Sequence, residues 1–336
     1  MIVLIWILMT SQVAHATNES QAAMLSLLIG PGAKINALGG SFVTLSQSAL
    51  CAYYNPAGLA GQRSKEVNFS RSKYFYDICY NYVGCSFYWK GLGNVGIGFM
   101  FYDMGKQIYT TKYGIEQGTF HSYEAALSFS YGTYVSKKLT LGATLKFLYS
   151  HLAEVGVEYG KGEGSSFAVD IGLLYYLSIR GFRFGMALRN VGPKLSYVDV
   201  PQAKPLPSHF TIGASWKVFD TEHNDVLIIL DLYKPLVRKE ESPFIALISA
   251  WTDESLKEEL RQIDLQCGLE YTFTSLSFPT ISLRVGYSYD KDGELRTLSF
   301  GGGFEFKIFG IKIVGDISRV LNEISTNDWF SISLRL

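Results

Sequence analysis

The sequence predicts an all-β chain, a transmembrane antiparallel β-barrel of about 14 strands, and three observations carry the prediction. Segment after segment alternates apolar and polar residues over about ten positions, the length of a tilted membrane strand. The connections between these segments are alternately short and long, a pattern of membrane barrels for which soluble sandwiches give no reason. Aromatic residues make up 15% of the chain beside 33 glycines and only 18% charged residues, a profile rich in strand formers and turns. The length of 336 residues would also suit two soluble domains, so pattern decides where length does not.

At the N-terminus, residues 2–9 (IVLIWILM) form a short apolar core, and Ala14 and Ala16 supply the small residues of an A-x-A cleavage site. Residues 1–16 are therefore expected to be a removed signal peptide. No basic residue precedes the apolar core, a departure that a misassigned start codon would explain. Downstream, the longest apolar runs are VLIIL at 226–230 and FIALISAW at 244–251, far short of the roughly 18 residues a spanning helix needs. Any membrane crossing is by strands.

Residues 17–64 do not alternate, and the barrel is expected over 65–336. Strands are expected at about 65–75, 78–89, 93–103, 121–134, 138–150, 166–178, 181–190, 208–219, 225–234, 263–274, 280–289, 296–308, 310–319 and 328–336. In 139–149, for example, Leu139, Leu141, Ala143, Leu145, Phe147 and Tyr149 face one way, and Thr140, Gly142, Thr144 and Lys146 the other. KGLGN, VSKKL, SIRG, TSLSFP and the Gly310 turn are short connections, whereas 104–120, 151–165, 191–207, 235–262 and 320–327 read as mostly longer, polar loops.

Both chain ends fall on the short-turn side, so both termini are expected in the periplasm and the long loops outside the cell. Trp89 and Trp216 then lie near periplasmic strand ends and Trp329 near an extracellular one, as interface girdles would place them. Within 235–262, Leu256, Leu260 and Ile263 recur at helical spacing and predict a short amphipathic loop helix in WTDESLKEELRQI. The terminal FSISLRL alternates Phe330, Ile332, Leu334 and Leu336 and suits a last strand read by the barrel assembly machinery, although a terminal Phe is more usual.

The 30 basic and 30 acidic residues cancel, so no strong field favours nucleic acid. Cys51, Cys79, Cys85 and Cys267 show no metal-ligand spacing and are read as small apolar residues. There is no G-x-S-x-G elbow, phosphate loop or H-E-x-x-H, and neither an enzyme nor a cofactor or metal site is expected.

The specific feature is the stretch after Gly30-Pro31-Gly32-Ala33, namely INALGGSFVTLSQSALCAYYNPAGLAGQ. In Asn55-Pro56-Ala57-Gly58, Pro56 fixes its own φ and pushes Asn55 toward extended geometry, Gly58 permits close approach, and Asn55 can bond nearby backbone. The order ALGG, a short apolar segment, a small-residue segment and YYNPAGLA resembles the N-terminal hatch of the FadL family of long-chain fatty acid transporters. It resembles equally the PorV and PorQ relatives, including a FadL-like group in spirochaetes. Asn55, Pro56 and Ala57 match the family's NPA motif, and Asn190-Val191-Gly192 is similar to a strand-end motif of the PorV-type members.

The resemblance implies that residues 17–64 form a hatch plugging the barrel of a monomer in outer-membrane lipid. It further implies passive uptake, in which a long-chain fatty acid or similar hydrophobic molecule settles in the lumen and leaves through a hatch-controlled opening. Gly93, Gly96 and Gly98 could then permit the strand kink that opens the wall in that family. With apolar faces toward lipid, Lys146, Asp170, Arg183, Arg189, Asp231, Glu270, Arg284 and Glu305 face the lumen. These charges either pair with one another, or Lys146, Arg189 and Arg284 include the groups that hold a ligand carboxylate. The PorV-like relatives imply an alternative, a structural or shuttle component of protein secretion. A simple diffusion porin is disfavoured by the hatch.

Overall fold

Alternation with a period of two produces strands that cannot stand alone in lipid, because every backbone N–H and C=O must be paired. Closure of the sheet supplies those pairs. The protein's structure, a computed structural model, describes residues 21–336 except 75, 111–112, 158–159, 198–202, 239–241, 252–255, 276–278, 292–293 and 324. The expected signal peptide, residues 1–16, lies outside the described residues.

The strands are β1 (Glu66–Lys73), β2 (Cys79–Trp89), β3 (Gly93–Thr110), β4 (Glu116–Tyr134), β5 (Leu139–Val157), β6 (Gly160–Tyr176) and β7 (Phe182–Val191). They continue with β8 (His209–Asp220), β9 (Asn224–Pro235), β10 (Asp264–Phe273), β11 (Thr280–Asp290), β12 (Leu295–Ile308), β13 (Ile311–Asn322) and β14 (Thr326–Arg335). Each pairs antiparallel with its sequence neighbours, and β1 pairs with β14 from Glu66↔Arg335 to Lys73↔Asp328, so the barrel is closed. This is the fourteen-strand all-β fold that the alternation predicts.

The two faces separate chemically. Phe69, Ile97, Leu145, Ile228, Leu283 and Ile332 are exposed on the outer wall, while Ser70, Ser130, Thr144, Asp170, Glu270 and Ser299 are buried on the inner one. An apolar exterior over a polar interior is inside-out relative to a soluble barrel and matches a lipid surround. Among the described residues no helix is long and apolar enough to cross a membrane.

Two local expectations need correction. The connections read as loops at 104–120 and 151–165 are largely paired backbone, with Lys106↔His121 and Tyr109↔Gly118 between β3 and β4 and Ser150↔Gly164 between β5 and β6. Beyond the lipid the outer face has no need to be apolar, so the hydrophobic alternation fades although the hydrogen-bond ladder runs on. Register shifts follow Asp103 and His151, and Gly105 takes the first at φ +73°. Trp329 is not in a girdle: it is 2% exposed and faces inward, its ring centroid 5.4 Å from that of Tyr80. The short helix expected in 251–263 is present at Leu256–Glu259, and a longer one at Pro243–Ser249 precedes it.

Among the described residues the short helical elements are α1 (Ala33–Ala37), α2 (Cys51–Tyr54), α3 (Pro243–Ser249) and α4 (Leu256–Glu259), with 3-10 turns at Leu25–Leu28 and Pro56–Gly61. Ser242 caps α3 by accepting from the Ile245 N–H, with Pro243 at the first turn. The helices before β1 pack against the inner face of the barrel and bury Leu27, Ile35, Leu38, Cys51, Tyr53 and Leu59. All four cysteines are free thiols.

Candidate functional site in the lumen

The N-terminal segment meets the barrel through polar anchors spread around the wall. Asn55 is extended (φ −144°, ψ 100°) and wholly buried. Its Oδ1 accepts from the Ala57 N–H at 3.1 Å, and its Nδ2 donates to the Val43 carbonyl at 2.7 Å and the Leu173 carbonyl of β6 at 3.1 Å. One side chain thus caps the turn that begins at Pro56, ties it to the preceding loop and ties both to the wall. Three strands along the wall, one oxygen of the buried Asp231 carboxylate on β9 accepts from the N–H groups of Phe42 (2.7 Å) and Val43 (2.9 Å). Further anchors are Ala33 N–H to Ser331 Oγ, Gly39 N–H to Ser299 Oγ and Asn94 Nδ2 to the Ala60 carbonyl.

Close approach of two backbones requires a wall without side chains there, and glycine supplies it. Gly132, Gly142 and Gly172 are register partners across β4, β5 and β6. A Cβ on Gly142 would overlap Pro56 and Ala57, and one on Gly172 would overlap Asn55. A second shelf, Gly268 paired with Gly286 on β10 and β11, receives Leu38 and Gly39 of the ALGG motif. The motifs of residues 37–40 and 55–58 therefore have complementary landing strips in the barrel. Sequence reading missed these glycines; the available signal was that each stands on the lumen parity of its strand.

The charged candidates divide. Lys146, 1% exposed, pairs with Asp170 at 2.7 Å and donates to Asn190 Oδ1 at 2.7 Å. The Asn190 N–H in turn donates to Asp170 Oδ1, which gives the Asn190-Val191-Gly192 motif a role in that cluster. Arg284 binds Glu270 through Nε and Asp316 through a second nitrogen at 2.7 Å, and Lys34 of α1 reaches Glu270 at 2.8 Å. Both clusters are neutralised by direct pairing.

Arg189 differs. It is 8% exposed, its Nε and one terminal nitrogen have no hydrogen-bond partner among the described residues, and its guanidinium lies 4.7 Å from the Tyr53 ring centroid and 5.3 Å from that of Tyr54. It borders a cavity of about 300 Å³ together with Asn36, His209, Asp231, Gln266 and Ser299. A second cavity of about 280 Å³ is lined by Lys34, Arg183, Glu270, Arg284, Asp316 and Arg335, and Phe42 borders both. Around α2, burial pushes the Cys51 thiol up to about 12 and raises the Tyr53 and Tyr54 phenols above their ordinary value.

The remaining candidates sit on β3. Gly96 lies under Ala52 and Leu59, Gly98 lies between Tyr82 and Ser128, and Gly93 has φ +126° beside Tyr131. The ladder between β2 and β3 is continuous from Gly93 to Asp103. Among the described residues no group of three or more His, Cys, Asp or Glu could hold a metal ion.

Similarity to solved structures follows this architecture. The P. putida toluene transporter TodX superposes with a TM-score of 0.58 at 12% identity, covering 91% of this chain and 97% of that one. The CymD monoaromatic hydrocarbon channel gives 0.56 at 12% over 92% and 97%, and a Pseudomonas aeruginosa FadL homologue 0.51 at 10% over 91% and 98%. At such identities the likeness establishes the outer-membrane barrel fold alone. No curated protein matches the sequence. The model of the family described as "Type IX secretion system protein PorV" matches residues 13–242, which include the NPAG turn, its glycine shelf on β4–β6 and the Lys146–Asp170–Asn190 cluster. With that match spanning more than half of the chain, over a barrel of the FadL type, the protein belongs to the PorV family.

Proposed function

We propose that this protein serves protein secretion at the outer membrane, as a structural or shuttle component whose lumen is closed by residues 17–64. The observation that supports this reading is the chemistry of the lumen. Both cavities have walls about as polar as they are apolar, with charged side chains among them, whereas a long acyl chain needs a mostly apolar pocket to repay the loss of its freedom. A barrel with its interior so occupied offers partners its rim and outer wall. In this reading both termini are periplasmic and the barrel assembly machinery inserts the chain as a single barrel.

A second reading is favoured by Arg189 and by the neighbours' fold. An unpaired buried cation over two tyrosine rings suits a carboxylate, and a hatch that shifts would admit a long-chain fatty acid or another hydrophobic molecule. Residues 55–58 and the glycines Gly93, Gly96 and Gly98 would then be moving parts. One experiment separates the two. The refolded barrel is titrated with a fluorescent long-chain fatty acid against unlabelled oleate, and a deletion strain is compared with its parent for proteins in the culture supernatant. The secretion role expects no saturable, competed binding and loss of a set of exported proteins. Competed binding that Arg189→Ala abolishes, with unchanged export, would establish uptake instead.

A further inference from the structure

The described residues of the connection between β9 and β10 do not stand up from the rim. Trp251, just after α3, lies with its ring centroid 5.9 Å from that of Phe210. Phe210 and Lys234 are register partners above Ile212↔Leu232, Ala214↔Leu230 and Trp216↔Ile228, the outward rows of β8 and β9. Lys234 therefore projects from the lipid face, yet it is buried: Glu259 at the end of α4 pairs with it at 2.6 Å, Gln262 accepts at 3.1 Å and Trp251 covers it at 5.4 Å. The segment has folded down over the outer wall.

Its depth follows from the register. From Trp216 to Phe210 is six residues, roughly 20 Å of strand at about 3.3 Å each. At a tilt near 40° that is roughly 15 Å along the membrane normal, within an apolar band of about 25 Å. α3 buries Ala246 and Ala250 on one side. On the other it presents Phe244, Ile245 and Ile248, which are 73%, 59% and 75% exposed. An apolar face of that kind, on a helix that ends in Trp251 against Phe210 at this height, meets the same surroundings as the wall residues Ile212, Leu230 and Leu232.

We infer that α3 is an interfacial amphipathic element lodged in the outer leaflet, with Phe244, Ile245 and Ile248 in contact with acyl chains. The lipid-facing wall is thereby carried over the Lys234–Glu259 pair, which would otherwise present a charge to lipid. The inference rests on the outer-membrane fold and is independent of the secretion and uptake readings.

The test is a nitroxide at residue 248, introduced as Ile248→Cys in the full chain and reconstituted into phosphatidylcholine vesicles at high lipid-to-protein ratio. Ser242→Cys, at the polar end of α3, serves as a second site, and the parent chain labelled in parallel defines the signal of the native thiols. Collision with oxygen and with a water-soluble nickel chelate is measured. The expected result is at least a several-fold higher ratio of oxygen to nickel collisions at 248 than at 242. Nickel access at 248 equal to that at 242 would overturn the inference. So would exclusion of both reagents at 248, which would mean that protein, such as a second copy, covers the helix.

Discussion

Asn55→Ala removes the one side chain that joins the NPAG turn to both its own segment and the wall. Three hydrogen bonds go with it, to Ala57 N–H, the Val43 carbonyl and the Leu173 carbonyl, from a side chain that is wholly buried. At about 1 kcal/mol net for each, docking of residues 42–61 weakens by about 3 kcal/mol, which is roughly a 100-fold rise in the undocked population. The strands lose no ladder bond, so the barrel itself should remain folded and heat-modifiable on gels. Two readouts follow the segment alone. Amide exchange across 42–61 should accelerate by roughly 100-fold, and alkylation of Cys51 should rise in step. In the docked state the Cys51 thiol, pushed up to about 12, stays protonated and unreactive at pH 8. If exchange and Cys51 alkylation in Asn55→Ala stay within threefold of the parent, the turn is held by packing and the hydrogen-bond argument fails.

Other expectations concern the same architecture. Gly142→Val drives a side chain into Pro56 and should expose the N-terminal segment to limited proteolysis, whereas Gly302→Ala, whose Cβ meets only ordinary contact, should leave the pattern unchanged. Asp231→Ala removes two charge-assisted bonds at about 1.5 to 3 kcal/mol each and should deprotect the Phe42 and Val43 amides by more than 100-fold. Asp231→Asn keeps an acceptor and should lose far less, so equal deprotection in both would refute the assignment. Arg284→Ala leaves Asp316 without its cation and should cost about 3 to 5 kcal/mol, read as a lower temperature for the gel-mobility shift; an unchanged temperature would show the cluster to be hydrated. The raised Cys51 value also gives docking a pH dependence: stability from the neutral thiol is complete below its ordinary value of 9.0 and falls as pH rises above it. Cys51→Ala should flatten that alkaline decline in amide protection.

The local pattern carried much of the fold. Alternation at 139–149 or 281–289 reports which residues face lipid, because side-chain direction in a strand has a strict period of two, and that parity held for Lys146, Asp170, Arg189, Glu270 and Arg284. Parity also contained the correction for Trp329, since Phe330, Ile332 and Leu334 face outward and their neighbour must face in. Partners within one hairpin were within reach as well: Glu270 and Arg284 sit opposite each other across a short turn.

What the tertiary structure decided lies across strands that the sequence does not join. Whether a lumen cation is paired depends on register over two or more strands: Arg284 reaches Asp316 past the glycines of β12, while Arg189 finds tyrosine faces and, among the described residues, no carboxylate. The glycine shelves exist only once β4, β5 and β6 are aligned, because a lone glycine in a strand does not reveal what will approach it. Where strands leave the membrane was likewise hidden in β3 to β6, for in water the ladder persists without the hydrophobic contrast that marks it. Periodicity is a property of neighbours in the chain, and it set the faces; pairing, occupancy and docking are properties of neighbours in space, and only the closed barrel set those.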